Sequence, residues 1–197
     1  MTYSIVAISG SPSRNSTTAK LAEYALAHVL ARSDSQGRHI HVIDLDPKAL
    51  LRGDLSNAKL KEAVDATCNA DGLIVATPIY KASYTGLLKA FLDILPQFAL
   101  AGKAALPLAT GGSPAHVLAL DYGLRPVLHS MGVRHVVQSF FLVQSQFSVV
   151  DGKLAVEDDV ASQLNNAIDH FRLSLSSEPS TRHLGHPRPS LDATRAA

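Results

Sequence analysis

The stretch from Ser9 to Thr18, reading Ser-Gly-Ser-Pro-Ser-Arg-Asn-Ser-Thr-Thr, constrains this chain more than any other. It follows a short apolar run, Ile5-Val-Ala-Ile8, and opens a helical pattern that begins near Thr18. The order is therefore strand, hydroxyl-rich loop, helix start. A helix start exposes unpaired backbone N–H groups and the positive end of its dipole, so it attracts anions. Ser11, Ser13, Ser16, Thr17 and Thr18 add hydroxyl donors, Asn15 adds an amide, and Arg14 can pair a phosphate with two hydrogen bonds. Gly10 and Pro12 suit the tight turn out of the strand. The stretch reads as a phosphate cradle, and the same letters also suit an ordinary helix cap in a Ser-rich turn.

Neither common glycine fingerprint is present: there is no G-x-G-x-x-G, and no G-x-x-x-x-G-K-[ST] with its lysine for the terminal phosphates of a triphosphate. Hydroxyls in place of glycines suit one terminal phosphate better than a bridging pyrophosphate, which points to a mononucleotide such as FMN. Hydroxyl-rich loops also serve phosphatases, but a cysteine-nucleophile phosphatase needs a loop cysteine and this loop has none.

At 197 residues the chain suits one domain with a full core. A net charge of +1 offers nothing to nucleic acid or a membrane surface. No apolar run reaches the roughly 18 residues of a membrane span, and no basic segment with a cleavable apolar stretch precedes the first strand. The lone cysteine, Cys68, excludes an internal disulfide and a multi-thiolate metal site. These features fit the cytoplasm.

Strand and helix patterns alternate. Leu21, Ala25, Leu26, Val29 and Leu30 repeat at helical spacing, and Ser33–Gly37 breaks the pattern. His39–Ile43 alternates like a strand with one covered face, Leu45–Gly53 reads as irregular, and Ser56 is placed to cap a helix carrying Leu60, Ala63, Val64 and Thr67. Gly72–Ala76 is a run of the kind buried on both faces. A helix from Gly86 carries Leu87, Leu88, Phe91, Leu92 and Leu95 until Pro96 stops it. Ala104–Ala109 is the next buried run, with Pro107 as an objection because proline removes a ladder donor. A helix is predicted over Pro114–Ser130, distorted near Gly123 and Pro126, then a fifth strand over Val133–Val137. Phe140–Val150 either extends that strand or forms a surface excursion. Val160, Leu164, Ile168 and Phe171 outline the last helix.

This alternation implies parallel βαβ units with helices on both faces of the sheet. Five strands suggest the flavodoxin-like doubly wound α/β order 2-1-3-4-5, with a ligand crevice at the carboxyl ends of strands 1 and 3. Three loops then face the crevice: the phosphate cradle, Thr77–Gly86, and Thr110–Ser113. Pro78, Ile79, Tyr80 and Lys81 supply a wall and donors for a planar ring, while Gly111 and Gly112 admit close backbone approach. Residues 1–175 form the expected domain. From Ser174 the composition turns to Pro, Ser and charge, so residues 176–197 are expected to be a mobile tail.

Ser9-Gly-Ser-Pro12, Ala70 through Tyr84 with Gly86, and Gly102-Lys103 through Leu106–Ser113 with Ala115-His116 together resemble the NADPH-dependent FMN reductases. The Thr77-Pro-Ile-Tyr-Lys-Ala82 and Leu108-Ala-Thr-Gly-Gly112 segments are most similar to the reductase component of two-component alkanesulfonate monooxygenases, which serve sulfur acquisition. Many relatives carry Glu-Tyr-Asn where this chain has Ile79-Tyr80-Lys81, a departure from the wider family that agrees with the narrower branch.

The resemblance implies hydride transfer from NADPH to the flavin N5 and release of FMNH2 to a separate alkanesulfonate monooxygenase. It implies that Ser11, Arg14, Asn15, Ser16 and Thr17 hold the FMN phosphate, and that Pro78, Ile79, Tyr80 and Lys81 line the flavin, with Thr110, Gly111 and Gly112 near its ring. It implies a homodimer or homotetramer, and places Tyr122 in a π-bulge at a subunit interface, tied to flavin exchange. No acid, base or nucleophile is nominated, because the cofactor carries the hydride and the protein supplies orientation. Cys68 reads as a small core residue. His116 suits either an approach to the ring or a packing role, and the other histidines show no ligand spacing, so no metal is expected. The alternative reading is a reductase that retains FMN and reduces quinones, azo dyes or chromate.

Overall fold

The computed structural model describes residues 2–175; the tail expected over residues 176–197 lies outside them. Strand β1 (Tyr3–Ser9) leads into helix α1 (Thr17–Ala31), whose first turn is capped by the Ser16 hydroxyl accepting from the Ala19 amide at 3.0 Å. β2 (Ser35–His41) follows, then a 3-10 turn at Val42–Asp44, α2 (Pro47–Arg52) and α3 (Ala58–Asn69). β3 (Gly72–Tyr80) forms a short hairpin with β4 (Ser83–Tyr84), and α4 (Gly86–Asp93) returns to β5 (Ala104–Gly111). After a further irregular helical region come α5 (Arg125–Ser130), β6 (His135–Val136), β7 (Phe140–Val143), the β8 (Phe147–Val150) and β9 (Lys153–Val156) hairpin, and α6 (Asp158–Leu175).

The main sheet runs β2-β1-β3-β5, with β6 and then β7 both lying parallel on the far side of β5. Counting the long strands alone, with β6 and β7 as two pieces of the fifth, this is the expected 2-1-3-4-5 order. Side chains alternate across it. Val6, Ile8, Leu73 and Val75 pack with Leu60, Leu88 and Phe91 on one face. Ile5, Ala7, Ile74 and Leu106 pack with Leu21, Ile168 and Phe171 on the other. Both faces of the sheet are dry, which is why strands 1, 3 and 5 read as unbroken apolar runs.

Pro107 sits in the middle of the sheet without cost because of the break between β6 and β7. Lys103 and Ala105 direct their carbonyls to the fifth-strand side, where the former accepts from Arg134 and His135 and the latter from Val137. Pro107, two residues on, presents its missing donor to the same side. There β6 pairs only Ala104 and Ala105, and β7 starts at Leu108. The absent N–H falls where no strand would receive it.

Four expectations are corrected. The second strand spans Ser35–His41 and not His39–Ile43, because the apolar alternation runs on into the 3-10 turn, where Val42 is buried. The segment read as irregular holds α2, started by Asp46 accepting from Ala49 N and ended by Gly53 in the left-handed region at φ 62°. Asn57, not Ser56, caps α3; Ser56 donates to Asp54 instead. The long helix over Pro114–Ser130 is divided into a 3-10 turn (Pro114–His116), a π-helical segment (Leu120–Leu124) and α5, so the expected distortion is a change of helix type. Phe140–Val150 does both things expected of it: β7 extends the fifth strand, and the chain then leaves in the β8–β9 hairpin.

Candidate functional site

The loops after β1, β3 and β5 are tied to one another by buried threonines. Thr85 caps α4 by accepting from Leu88 N, and its hydroxyl donates to the Gly10 carbonyl at 2.6 Å. Gly10 N in turn donates to Ala76 O at 2.9 Å, and Thr77 Oγ1 accepts from Thr85 N at 3.1 Å. A Cβ placed on Gly10 would lie 2.5 Å from the Leu88 Cβ, so glycine is what lets the first loop touch α4. On the other side Thr18 and Thr110 share a hydrogen bond at 2.6 Å, both hydroxyls buried, which joins the first turn of α1 to the third loop. The three loops therefore move as one unit. Thr18, Thr77 and Thr85 were not singled out as joints from sequence, where their partners are distant.

Within the first loop Ser11 is buried and accepts from Ser13 N at 3.2 Å, while Pro12, Ser13, Arg14 and Asn15 are exposed. Ser16 accepts the Ala19 amide as cap and keeps its own proton to donate. The amides of Thr17 and Thr18 open the helix and have no intrahelical acceptor. Arg14 rests on Asp44 at 2.8 Å, with both side chains largely solvated, so the pair contributes about 0–1 kcal/mol and a phosphate competes with it easily. Hydroxyls, helix amides and an available guanidinium are the donor set that a terminal phosphate dianion requires.

The second loop is a tight hairpin. Ile79 pairs with Tyr84 and Tyr80 with Ser83, so only Lys81 and Ala82 make the turn, at φ 51° and 62°. Two non-glycine residues with positive φ are uncommon, and each costs about 1 kcal/mol or more. Pro78 is buried at the end of β3, Ile79 is half-buried, and Tyr80 and Lys81 are exposed, giving a rigid wall with polar ends. In the third loop Thr110 is buried, Gly111 lies against the Phe141 ring, and a Cβ on Gly112 would meet nothing within 4 Å. Gly112 thus borders open space, which admits close approach to its backbone. His116 is exposed in the 3-10 turn beyond.

The π-helical segment stands against this hairpin: Gly123 lies beside Ser83 and Tyr84. The Arg125 amide bonds the Leu120 carbonyl, the five-residue step that defines the segment. Arg125 then anchors it. Its guanidinium donates to Asp121, to the carbonyls of Val136 and Val137, and to Ser139 Oγ, at 2.9–3.1 Å. Asp121 belongs to the π segment and the other acceptors to the interrupted fifth strand, so one side chain supports both the strand break and the π segment. Tyr122, at the centre of the segment, is 78% exposed. Arg125 and Asp121 went unnoticed in the sequence, although an Asp and Arg four apart are a helix-pair signal.

Cys68 is mostly enclosed, and burial pushes its thiol above the ordinary value, so it is an inert packing residue as expected. Lys103, nearby and buried, donates to the Cys68 and Ala70 carbonyls at 2.7 and 2.6 Å and so closes the C-terminus of α3. No helix among the described residues is long and apolar enough to cross a membrane.

Residues 3–148 match the family model described as NADPH-dependent FMN reductase. An FMN reductase (NADPH) of Escherichia coli K12 is 38% identical over 167 residues, covering 85% of this chain and 87% of that one. The NADH-dependent FMN reductase SfnE of Pseudomonas putida is 40% identical over 130 residues, 62% of this chain and 67% of that one. A crystal structure described as NADH:FMN oxidoreductase (EMOB), apo form, is 96% identical and superposes with a TM-score of 0.88 over 96% of this chain and 99% of that chain.

Proposed function

The chain belongs to the NADPH-dependent FMN reductase family, and from that premise we propose that it treats FMN as a dissociable substrate, takes the hydride preferentially from NADH, and passes FMNH2 to a separate flavin-dependent monooxygenase. It is an oxidoreductase with FMN and a reduced nicotinamide dinucleotide as its reactants. NADH is preferred in this reading because the near-identical relative is named for NADH, whereas the NADPH-named relative stands at 38% identity.

FMN, when bound, supplies the two-electron acceptor. The residues of this chain do the rest. Ser11, Arg14, Asn15, Ser16 and Thr17 hold the phosphate through hydroxyls, amides and one cation. Pro78, Ile79, Tyr80 and Lys81 form the wall against the ring, and Thr110, Gly111 and Gly112 border its other edge. The threonine joints keep those groups in fixed relation, so that a nicotinamide laid on the open side arrives in register. Orientation of that kind is most of what hydride transfer asks of a protein.

The observation that carries the release of flavin is the π-helical segment Leu120–Leu124 packed on the hairpin of Tyr80 and Lys81, with Tyr122 outward. Short π segments are rare and frequently mark functional sites, and this one stands beside the hairpin that forms the ring wall in this reading. Tyr122 with Val117 and Leu118, exposed at 48% and 52%, forms an apolar surface that suits a contact between copies, in line with a homotetramer. An enzyme drawing on the cell's nicotinamide pool works in the cytoplasm. The monooxygenase's own substrate never meets this chain; the alkanesulfonate class is the one that the second and third loops resemble.

The test is nicotinamide oxidation by gel-filtered protein, with and without added FMN. Turnover that requires and saturates in free FMN, with kcat/KM higher for NADH than for NADPH, supports the reading. A yellow protein that reduces quinone without added flavin overturns it in favour of a retained prosthetic group.

A further inference from the structure

His39 and His41 stand two apart on the edge strand β2, so both rings project from one face, the face that α1 covers. Glu23 reaches them from α1. Its Oε1 lies 3.7 Å from His39 Nδ1 and 3.9 Å from His41 Nε2, and the three donor atoms all fall within 4.8 Å of one another. The opposite nitrogens of both rings converge on Ser9, whose Oγ is 3.1 Å from His39 Nε2 and 3.5 Å from His41 Nδ1. A serine oxygen has two lone pairs and can accept from both rings at once. With both rings donating to Ser9, each imidazole turns its lone pair toward Glu23.

His39 Nδ1 is buried and has no hydrogen-bond partner, a rare condition for a ring nitrogen and one that calls for a ligand. An ion pair with Glu23 does not account for it, because 3.7 Å is beyond hydrogen-bond reach. The two rings stack with centroids 3.8 Å apart, so both donors sit side by side. Neutral imidazole lone pairs beside a carboxylate, held by an outer hydroxyl, are the usual makings of a metal site.

We propose that Glu23, His39 and His41 bind one divalent cation of the zinc class, with water completing the shell and Ser9 orienting both histidines. Two imidazoles and one carboxylate select a borderline transition metal over calcium or magnesium. A tetrahedral ion with bonds of about 2.0–2.1 Å sets its donors about 3.3 Å apart, so the two pairs that Glu23 makes with the histidines have only about half an ångström to close. Glu23 is half-exposed, which gives the ion a path in. Bound there, the ion clamps α1 to the edge strand of the sheet, just behind the phosphate loop. Its ligands come from two elements, a strand and a helix, and no linear spacing motif announces them.

The experiment is calorimetric titration of chelator-stripped full-length protein with Zn2+, with Co2+ absorption as the spectroscopic probe. The expected result is one ion per chain, the visible bands of four-coordinate Co2+, and a melting temperature raised by about 5–10 °C at Zn2+ 100-fold above Kd. Glu23→Gln and His41→Asn, at solvent-accessible positions, should each weaken binding at least tenfold while keeping the wild-type circular dichroism, and Ser9→Ala should weaken it by about 10–100-fold. Absence of saturable binding overturns the proposal. So does binding that survives Glu23→Gln and His41→Asn and disappears on replacing His183 and His186.

Discussion

Gly10→Ala tests whether the loop after β1 and the hairpin after β3 are one mechanical unit. The added methyl would lie 2.5 Å from the Leu88 Cβ and 3.2 Å from its Cα, where ordinary contact begins near 3.4 Å. The obstruction is the body of α4, not the tip of a flexible side chain, so the loop or the helix must move by about an ångström. Overpacking of this kind costs about 1–3 kcal/mol. Movement also strains the 2.6 Å bond from Thr85 to the Gly10 carbonyl, worth about 1 kcal/mol. Together about 2–4 kcal/mol is expected, which in a chain of this size lowers the melting temperature by about 5–15 °C. Because the loop is displaced relative to the hairpin, KM for FMN should rise about tenfold or more, with kcat for bound substrate less affected. Gly112→Ala is the control: its methyl meets nothing within 4 Å, so stability should stay within about 0.5 kcal/mol. Thermal melts and FMN-dependent nicotinamide oxidation read both quantities. If Gly10→Ala melts and binds FMN like wild type, the loop is not pressed on α4 and the argument fails.

Four other perturbations follow from the same contacts. Thr18→Val leaves the buried Thr110 hydroxyl without its partner and should cost about 1–3 kcal/mol in denaturant unfolding, while Thr18→Val with Thr110→Val should cost less than the sum of the single changes. Ala82→Gly relieves the positive φ of the hairpin turn and should raise the melting temperature by about 1–3 °C; a fall would mean the turn is not strained. Lys103→Met removes the donor to the Cys68 and Ala70 carbonyls and should destabilise by about 1–3 kcal/mol, seen as a lower urea midpoint at unchanged slope. His28 is held below its ordinary value by burial first and by Arg32 next, against the opposing pull of Asp169, so the unfolded chain takes up its proton before the folded one does. Stability from this group is therefore full above about pH 6.5 and lost as pH falls, and His28→Gln should flatten the wild-type decline between pH 6.5 and 5.

What the letters revealed depended on whether one element carried the signal alone. β1, β3 and β5 are buried on both faces, so their apolar runs needed no partner to be recognised. The order strand, hydroxyl-rich loop, helix start was equally plain, since the three are contiguous. The helix α2 was missed although Asp46-Pro47 and Gly53 mark its two ends, because six residues carry too short an apolar period to register. The second strand was misplaced because an edge strand covered on one face leaves Ser35, Gln36 and Gly37 with nothing apolar to show. Pro107 looked like an objection only while the fifth strand was assumed continuous.

The threonine joints belong to a different class of information. Thr85 ties the first loop to the second and Thr18 with Thr110 ties the first to the third, through partners many residues away, while Thr77 holds Thr85 in place within the second loop. They matter because a crevice made of three separate loops would otherwise order on ligand binding and lose affinity to that ordering. With the joints in place the loops after β1, β3 and β5 are braced against one another, and the π-helical segment stands beside them. That segment touches the hairpin through Gly123 and is held at its far end by Arg125 on the strand break. A braced set of loops beside a π-helical segment is the arrangement that the proposed release of flavin calls for.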